Sequence, residues 1–376
     1  MNPLKQLGAC GQSPWLDYVR RGLIRNGELE TLIARDGVTG VTSNPSIFQK
    51  AIGESDEYLS DYPAARRAGD GSPLAVYEYL AVGDIQEAAD VLRPVYDATA
   101  GRDGHVSLEC SPYLAHDTNA TIAEARRLWT LVNRPNLLVK VPGTPAGVPA
   151  IRTLIGEGIS INVTLLFGIA AYERVADAYI AGLEAQAARG GDIARIASVA
   201  SFFVSRIDAL VDKRIDVQLA RDGDRAGLEA LRGKLAIANA KLAYVRFKEI
   251  ISGARWEALA AKGAQPQRLL WASTSTKNPS YPDTLYVETL IGRNTVNTMP
   301  PATMDAFRDH GRVEPDTVER GVEDARRTLA ALEQHGISLR GVTDELVEDG
   351  VKQFADAFGT LLGSIDARSG SLKAAS

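Results

Sequence analysis

Leu137-Leu138-Val139-Lys140-Val141-Pro142-Gly143-Thr144 is an apolar run with one lysine inside it, closed by Pro-Gly. A half-exposed strand would alternate apolar and polar residues. This run does not, and continuous apolar runs are expected of parallel strands covered on both faces. Ile196-Ala197-Ser198-Val199-Ala200 reads the same way. Working outward, further short apolar or β-branched runs place strands at Trp15–Val19, Gly40–Ser43, His105–Cys110, Leu137–Val141, Ser160–Leu165, Ile196–Phe203, Leu269–Thr274 and Thr295–Met299. Segments such as Asn119–Val132 and Ala170–Ala188 lie between them, with apolar residues three and four apart, the helical period. Strand–helix alternation predicts a parallel sheet. Eight strands point to closure into a (β/α)8 barrel, with a doubly wound sheet as the alternative.

The 376 residues are read as one such barrel domain, 1–376, with additions. One is a helical stretch at 205–262. The other is a pair of helices at 315–365, separated by Gly336–Gly341. The small polar tail Ser369–Ser376 is expected to fray.

Composition narrows the classes of function. The chain is 45% hydrophobic and 24% charged with net charge −5, which suits a globular protein and gives no polyanion-binding surface. No nucleic-acid partner is therefore expected. No apolar run reaches bilayer length and Met1–Trp15 holds no signal-peptide core, so no membrane partner is expected either. Two cysteines, Cys10 and Cys110, fit a reduced cytoplasmic setting. Cys110 follows Glu109 and so faces the other way, as a packed thiol. The four histidines form no metal-binding pattern, and neither GxGxxG nor GxxxxGK[ST] occurs.

Chemistry is expected where polar residues interrupt strands. Lysine in a setting as apolar as that of Lys140 tends to shed its proton, because a buried ammonium is costly, and a neutral amine is the nucleophile that forms a Schiff base. The competing reading is a lysine that snorkels from a strand end. Glu109 ends the third strand, as catalytic carboxylate or salt-bridge partner. Asn162 and Thr164 share one face of the fifth, inward in a barrel, either in an active site or as satisfied core groups. Asp17 follows the first strand and could equally cap a helix over 18–32. Asn44 sits in an Asn-Pro turn that it could merely shape. Ser201, Phe203 and Arg206 end the sixth strand, and Lys277 follows the seventh. Two bases beside hydroxyls suit a phosphate monoester, or else both are solvated.

Together, Gly40-Val41-Thr42-Ser43-Asn44-Pro45, Leu138-Val139-Lys140-Val141 and Asn162-Val163-Thr164-Leu165-Leu166-Phe167 resemble, in order, the transaldolase family. Trp271–Pro279 and Asn297–Thr303 resemble its longer bacterial branch, which in some members is fused to a glucose-6-phosphate isomerase; at 376 residues this chain is not expected to carry the fusion. The resemblance implies a class I aldolase barrel needing no metal or organic cofactor. It implies transfer of dihydroxyacetone from sedoheptulose 7-phosphate to glyceraldehyde 3-phosphate, giving erythrose 4-phosphate and fructose 6-phosphate.

It further implies roles for individual residues. Lys140 would be the Schiff-base lysine, Glu109 with Thr164 the holders of a catalytic water, and Asp17 the acid–base group at the C4 hydroxyl. Asn44, Asn162 and Ser201 would hold the dihydroxyacetone hydroxyls. Phe203 would form an aromatic wall and Arg206 a phosphate clamp. Many members carry a second arginine where Lys277 stands here, and lysine lacks the bidentate fork. Two other readings are a shorter-type fructose-6-phosphate aldolase that releases free dihydroxyacetone, and a non-catalytic barrel binding sugar phosphates. A monomer and a homodimer both fit the sequence.

Overall fold

The computed structural model describes residues 2–220 and 224–374, with side chains described as far as Ser369. Its eight strands are β1 Gln12–Leu16, β2 Gly40–Thr42, β3 His105–Glu109, β4 Leu137–Pro142, β5 Ile161–Leu166, β6 Ser198–Phe203, β7 Arg268–Ala272 and β8 Thr295–Met299. They run in sequence order around a closed barrel, all neighbours parallel, and β8 pairs back to β1 from Gln12↔Thr295 to Leu16↔Met299. Every residue of β4, β5 and β6 is buried, as strands sheathed on both faces must be. The doubly wound alternative is thereby set aside.

The first strand begins three residues before the sequence expectation. Gln12 and Ser13 look too polar for a strand and Pro14 looks like a turn. All three are accommodated by long-range partners. Gln12 Nε2 donates to the Leu290 carbonyl (2.7 Å), Ser13 Oγ donates to Asp103 Oδ2 (2.7 Å), and the Pro14 carbonyl accepts from Thr39 N (3.0 Å). Trp15 then lies flat under β2 at Gly40, where an added Cβ would come within 2.4 Å of the indole. That contact explains the glycine in β2.

The helix expected over 18–32 is instead two, Arg21–Arg25 and Glu28–Asp36. Gly27, at φ 79°, breaks it between them. The stretch 205–262 holds helices Ser205–Leu219, Arg225–Glu229, Leu235–Ile251 and Ala254–Ala260. After β8 come helices Pro301–His310, Val322–Gln334 and Leu339–Ala374. The last helix takes in the serine-rich tail expected to fray. Arg66 Nη1 donates to the Ser369 carbonyl (3.4 Å), and the low helix propensity of Ser and Gly costs only about 0.5–1 kcal/mol per residue. Residues 375 and 376 lie outside the described residues.

A buried ion pair closes the N-terminal end of the barrel. Arg268 Nη2 meets Asp103 Oδ1 at 2.9 Å, and Trp15 Nε1 and Ser13 Oγ both donate to the same carboxylate. The C-terminal end of the strands opens instead into a cavity. In this architecture the face at the C-terminal strand ends is the one where active sites are built.

Candidate active site

Strand register brings the candidate residues together. Across the paired strands, Glu109 lies opposite Lys140, Lys140 opposite Asn162, and Pro142 opposite Thr164. Residues directly opposite on parallel strands share a face. Glu109, Lys140, Asn162 and Thr164 therefore point one way, into the barrel.

A cavity of 450 Å³ opens there, lined by Asp17, Asn44, Lys140, Asn162, Thr164, Ser201, Phe203, Arg206 and Lys277 among others. Nine of the ten residues singled out from sequence thus line one space. Glu109, the tenth, faces a neighbouring cavity of 690 Å³ yet holds its Oε2 3.0 Å from Lys140 Nζ.

Lys140 is not the lone amine that the sequence suggests. It is only 5% exposed, pairs with Glu109, and donates to the Ser43 carbonyl at 2.8 Å. An ammonium that deep requires a counter-charge, and β3 supplies one. Burial pushes the Glu109 carboxyl above the usual range and Asp17 adds to the rise, while the charge of Lys140 opposes it. A carboxyl shifted in that direction is suited to giving and taking protons near neutrality.

Asp17 is not a helix cap. The helix at Arg21 begins from Arg20 with no side-chain cap, and Asp17 Oδ1 instead accepts from Thr42 Oγ1 at 2.7 Å. Thr42 Oγ1 in turn meets Thr298 Oγ1 at 2.9 Å, so β1, β2 and β8 together orient the carboxylate. Burial raises its pKa, against the Thr42 hydrogen bond and the charges of Lys140, Lys277 and Arg206.

The amide and hydroxyls on the far wall form a chain. Ser201 Oγ donates to Asn162 Oδ1 (2.7 Å), and Asn162 Nδ2 donates to Ser107 Oγ (3.0 Å). Thr164 Oγ1 is buried and has no hydrogen-bond partner among the described residues. Asn44 does shape its turn, since Oδ1 caps the helix Pro45–Phe48 at Ile47 N (3.0 Å), and it lines the cavity as well.

At the rim, the Arg206 guanidinium sits 5.3 Å from the Phe203 ring centroid, and Phe203 packs on Phe167 at 5.2 Å. Burial pulls the Arg206 pKa down, with Asp17 opposing. Its Nη1 is buried with no hydrogen-bond partner among the described residues, a donor aimed at no protein acceptor. Lys277, on the exposed side, donates to Ser275 Oγ at 2.8 Å. Arg206 and Lys277 line the same cavity, and the charges of both reach Asp17.

Thr42, Ser43, Ser107, Thr298 and Phe354 were not singled out from sequence. Thr42, Ser43 and Thr298 stand inside the motifs quoted above, so their position was marked although their role was not. Phe354 carried no such mark. It sits in the last helix and reaches the cavity only through the tertiary fold. Among the described residues, no group of three or more His, Cys, Asp or Glu side chains could hold a metal ion, and no helix is long and apolar enough to cross a membrane.

Comparison with known proteins follows the same line. The profile of the family described as Transaldolase/Fructose-6-phosphate aldolase matches residues 14–365. A protein named Transaldolase 2 from a Nostoc species is 48% identical over 374 residues, covering 98% of each chain. A transaldolase from Frankia alni is 50% identical over 97% of this chain and 96% of its own. One from Thiobacillus denitrificans is 51% identical over 97% of this chain and 100% of its own.

Proposed function

This chain belongs to the transaldolase/fructose-6-phosphate aldolase family, and we propose that Lys140 carries the transferred three-carbon unit as an imine at the barrel mouth. The activity is that of a transaldolase, a transferase acting on sugar phosphates: sedoheptulose 7-phosphate and glyceraldehyde 3-phosphate give erythrose 4-phosphate and fructose 6-phosphate. The observation that carries the residue assignment is the buried Lys140–Glu109 pair at 3.0 Å, with Lys140 lining a cavity that also presents the hydroxyls and amides of Asn44, Asn162, Thr164 and Ser201.

In this reading Glu109 takes a proton from the Lys140 ammonium, and the freed amine adds to the ketose C2 carbonyl. Proton return from Glu109, through a water held with Thr164, expels hydroxide as water and leaves the iminium. Asp17 then takes the C4 hydroxyl proton, the C3–C4 bond breaks, and its electron pair flows into the iminium to give an enamine. The aldose phosphate leaves. The enamine stays tethered, which is the purpose of covalent catalysis here. Asn44, Asn162 and Ser201 hold its hydroxyls while a second aldose arrives. Fixing reactants in this way is worth about 7–11 kcal/mol in the best cases. Asp17 returns its proton to the new C4 oxygen, and hydrolysis at C2 frees the product.

Arg206 and Lys277 bind the phosphate, Arg206 as the stronger partner because its buried donor has no competing acceptor among the described residues. Borohydride added with fructose 6-phosphate should leave a reduced three-carbon label on the peptide containing Lys140. Label on any other lysine overturns the assignment. Lys140→Ala should abolish trapping altogether.

A further inference from the structure

We propose that Phe354, carried over the barrel mouth by the C-terminal helix, decides whether the three-carbon unit is passed to an aldose or lost to water as free dihydroxyacetone. The inference rests on the imine reading of Lys140 and goes beyond it.

The helix Leu339–Ala374 presents one face to the barrel: Gly350, Phe354, Phe358, Leu361 and Ile365, spaced three and four apart. Phe354 and Phe358 are 5% and 4% exposed, and Leu361 and Ile365 are fully buried. The face is pinned on both sides of Phe354. One turn before it, Gly350 lies so close to β5 that an added Cβ would come within 2.7 Å of Leu165 Cδ2. Leu165 is itself held at φ 59°, where β5 shifts register between Val163 and Leu166. One turn after it, the Phe358 ring meets Tyr77 edge-on at 5.2 Å and Tyr113 at 5.8 Å. Phe354 is the residue this helix contributes to the cavity lining, and its ring centroid stands 5.9 Å from Lys140 Nζ.

That position bears on a choice the chemistry must make. In the productive branch, enamine C3 attacks the aldehyde carbon of the acceptor and forms a carbon–carbon bond. In the wasteful branch, C3 takes a proton from solvent, one water adds to C2, and the C2–N bond breaks. Dihydroxyacetone leaves, the lysine amine is restored, and one water is consumed with no change in oxidation state. Both branches use at C2 the water assigned to Glu109 and Thr164, so they part at C3, which the second branch protonates from solvent water. A rigid apolar ring beside the nitrogen removes the space such water would occupy, and its π face favours positive charge there. Phe354 is thus a specificity-determining residue, acting by exclusion.

The test compares the wild type, Phe354→Ala and Phe354→Leu in the full chain. Two rates are measured with fructose 6-phosphate: transfer to erythrose 4-phosphate, and release of free dihydroxyacetone without acceptor. Borohydride trapping at Lys140 is measured alongside. The ratio of release to transfer should rise about tenfold or more in Phe354→Ala and less in Phe354→Leu, and the intermediate still open to trapping should decay faster in both when borohydride is added at increasing delays. Phe354→Leu decides the matter where the alanine variant melts early, because it keeps most of the apolar volume. An unchanged ratio and unchanged decay, with Lys140 still labelled, would overturn the proposal while leaving the imine reading intact. Absence of label in the wild type would remove the imine reading, and the proposal with it.

Discussion

Replacing Asp17 by Asn separates chemistry from architecture at this site. The two side chains have the same shape, and an amide oxygen can still accept the 2.7 Å hydrogen bond from Thr42 Oγ1. The Thr42–Thr298 contact at 2.9 Å need not move. What disappears, on the proposed assignment, is the ability to take the C4 proton. Loss of a positioned acid–base group costs about 10²–10⁴ in rate, which is about 2.7–5.5 kcal/mol of barrier. The loss should appear in kcat, with KM little changed, because Asp17 meets no phosphate. Imine formation precedes the step that needs Asp17. Borohydride should therefore still label Lys140 in Asp17→Asn, now with an intact six-carbon phosphate in place of the three-carbon fragment. Stability should move the other way. The folded-state pKa of Asp17 is raised, so the folded protein holds that proton more tightly than the unfolded chain. Its stability contribution is complete at low pH and is lost as pH rises through the folded value, leaving a buried charge that opposes folding at neutrality. The amide removes that charge, and the variant should melt higher than the wild type at neutral pH. Wild-type kcat to within about threefold, or a three-carbon label formed at the wild-type rate, would refute the assignment of Asp17.

Two further outcomes test other parts of the molecule. Arg206→Ala removes a charge-assisted contact worth about 1.5–3 kcal/mol, so KM for phosphorylated sugars should rise about 10- to 150-fold with kcat less affected; Lys277→Ala should do less, and equal wild-type KM for phosphorylated and unphosphorylated acceptors would remove the clamp. Asp103→Ala leaves Arg268 buried without its counter-charge, at a cost of about 3–5 kcal/mol. Spread over about 2.1 cal/mol/K per residue in a chain of 376, that is a fall of about 4–6 °C in Tm, measured by calorimetry. For Asp103, burial pushes the carboxyl up but is outweighed by the Arg268 charge and the hydrogen bonds from Arg268, Ser13 and Trp15, so its pKa lies below the ordinary 3.8. That contribution is present above the ordinary value and lost as pH falls through the folded one, so the gap between wild type and variant should close only at strongly acidic pH.

The strands of the barrel were legible because burial on both faces writes itself into local composition. Leu137-Leu138-Val139 and Ile196–Ala200 could hardly be anything but sheathed strands. β1 was misplaced by three residues because the partners that satisfy Gln12 and Ser13, at Leu290 and Asp103, are far away in sequence. The helix over 18–32 was drawn through Gly27, where a local apolar period continued across a residue that turns the chain. The residues that line the mouth were legible for a similar reason. A polar group at or just past the end of an apolar strand has few places to go, and eight such residues share one cavity.

Sequence alone determined which side chains end the strands, and with alternation it determined that Asn162 and Thr164 face one way. These follow from the two-residue period of a strand, a property of neighbours along the chain. Tertiary structure alone decided that Lys140 is paired with Glu109, that Thr42 and Thr298 aim Asp17, and that Phe354 overhangs the lysine. Each of those contacts joins residues from different elements. Their distances are set by closure of β8 on β1 and by how the last helix lies across the opening, and no local pattern encodes either.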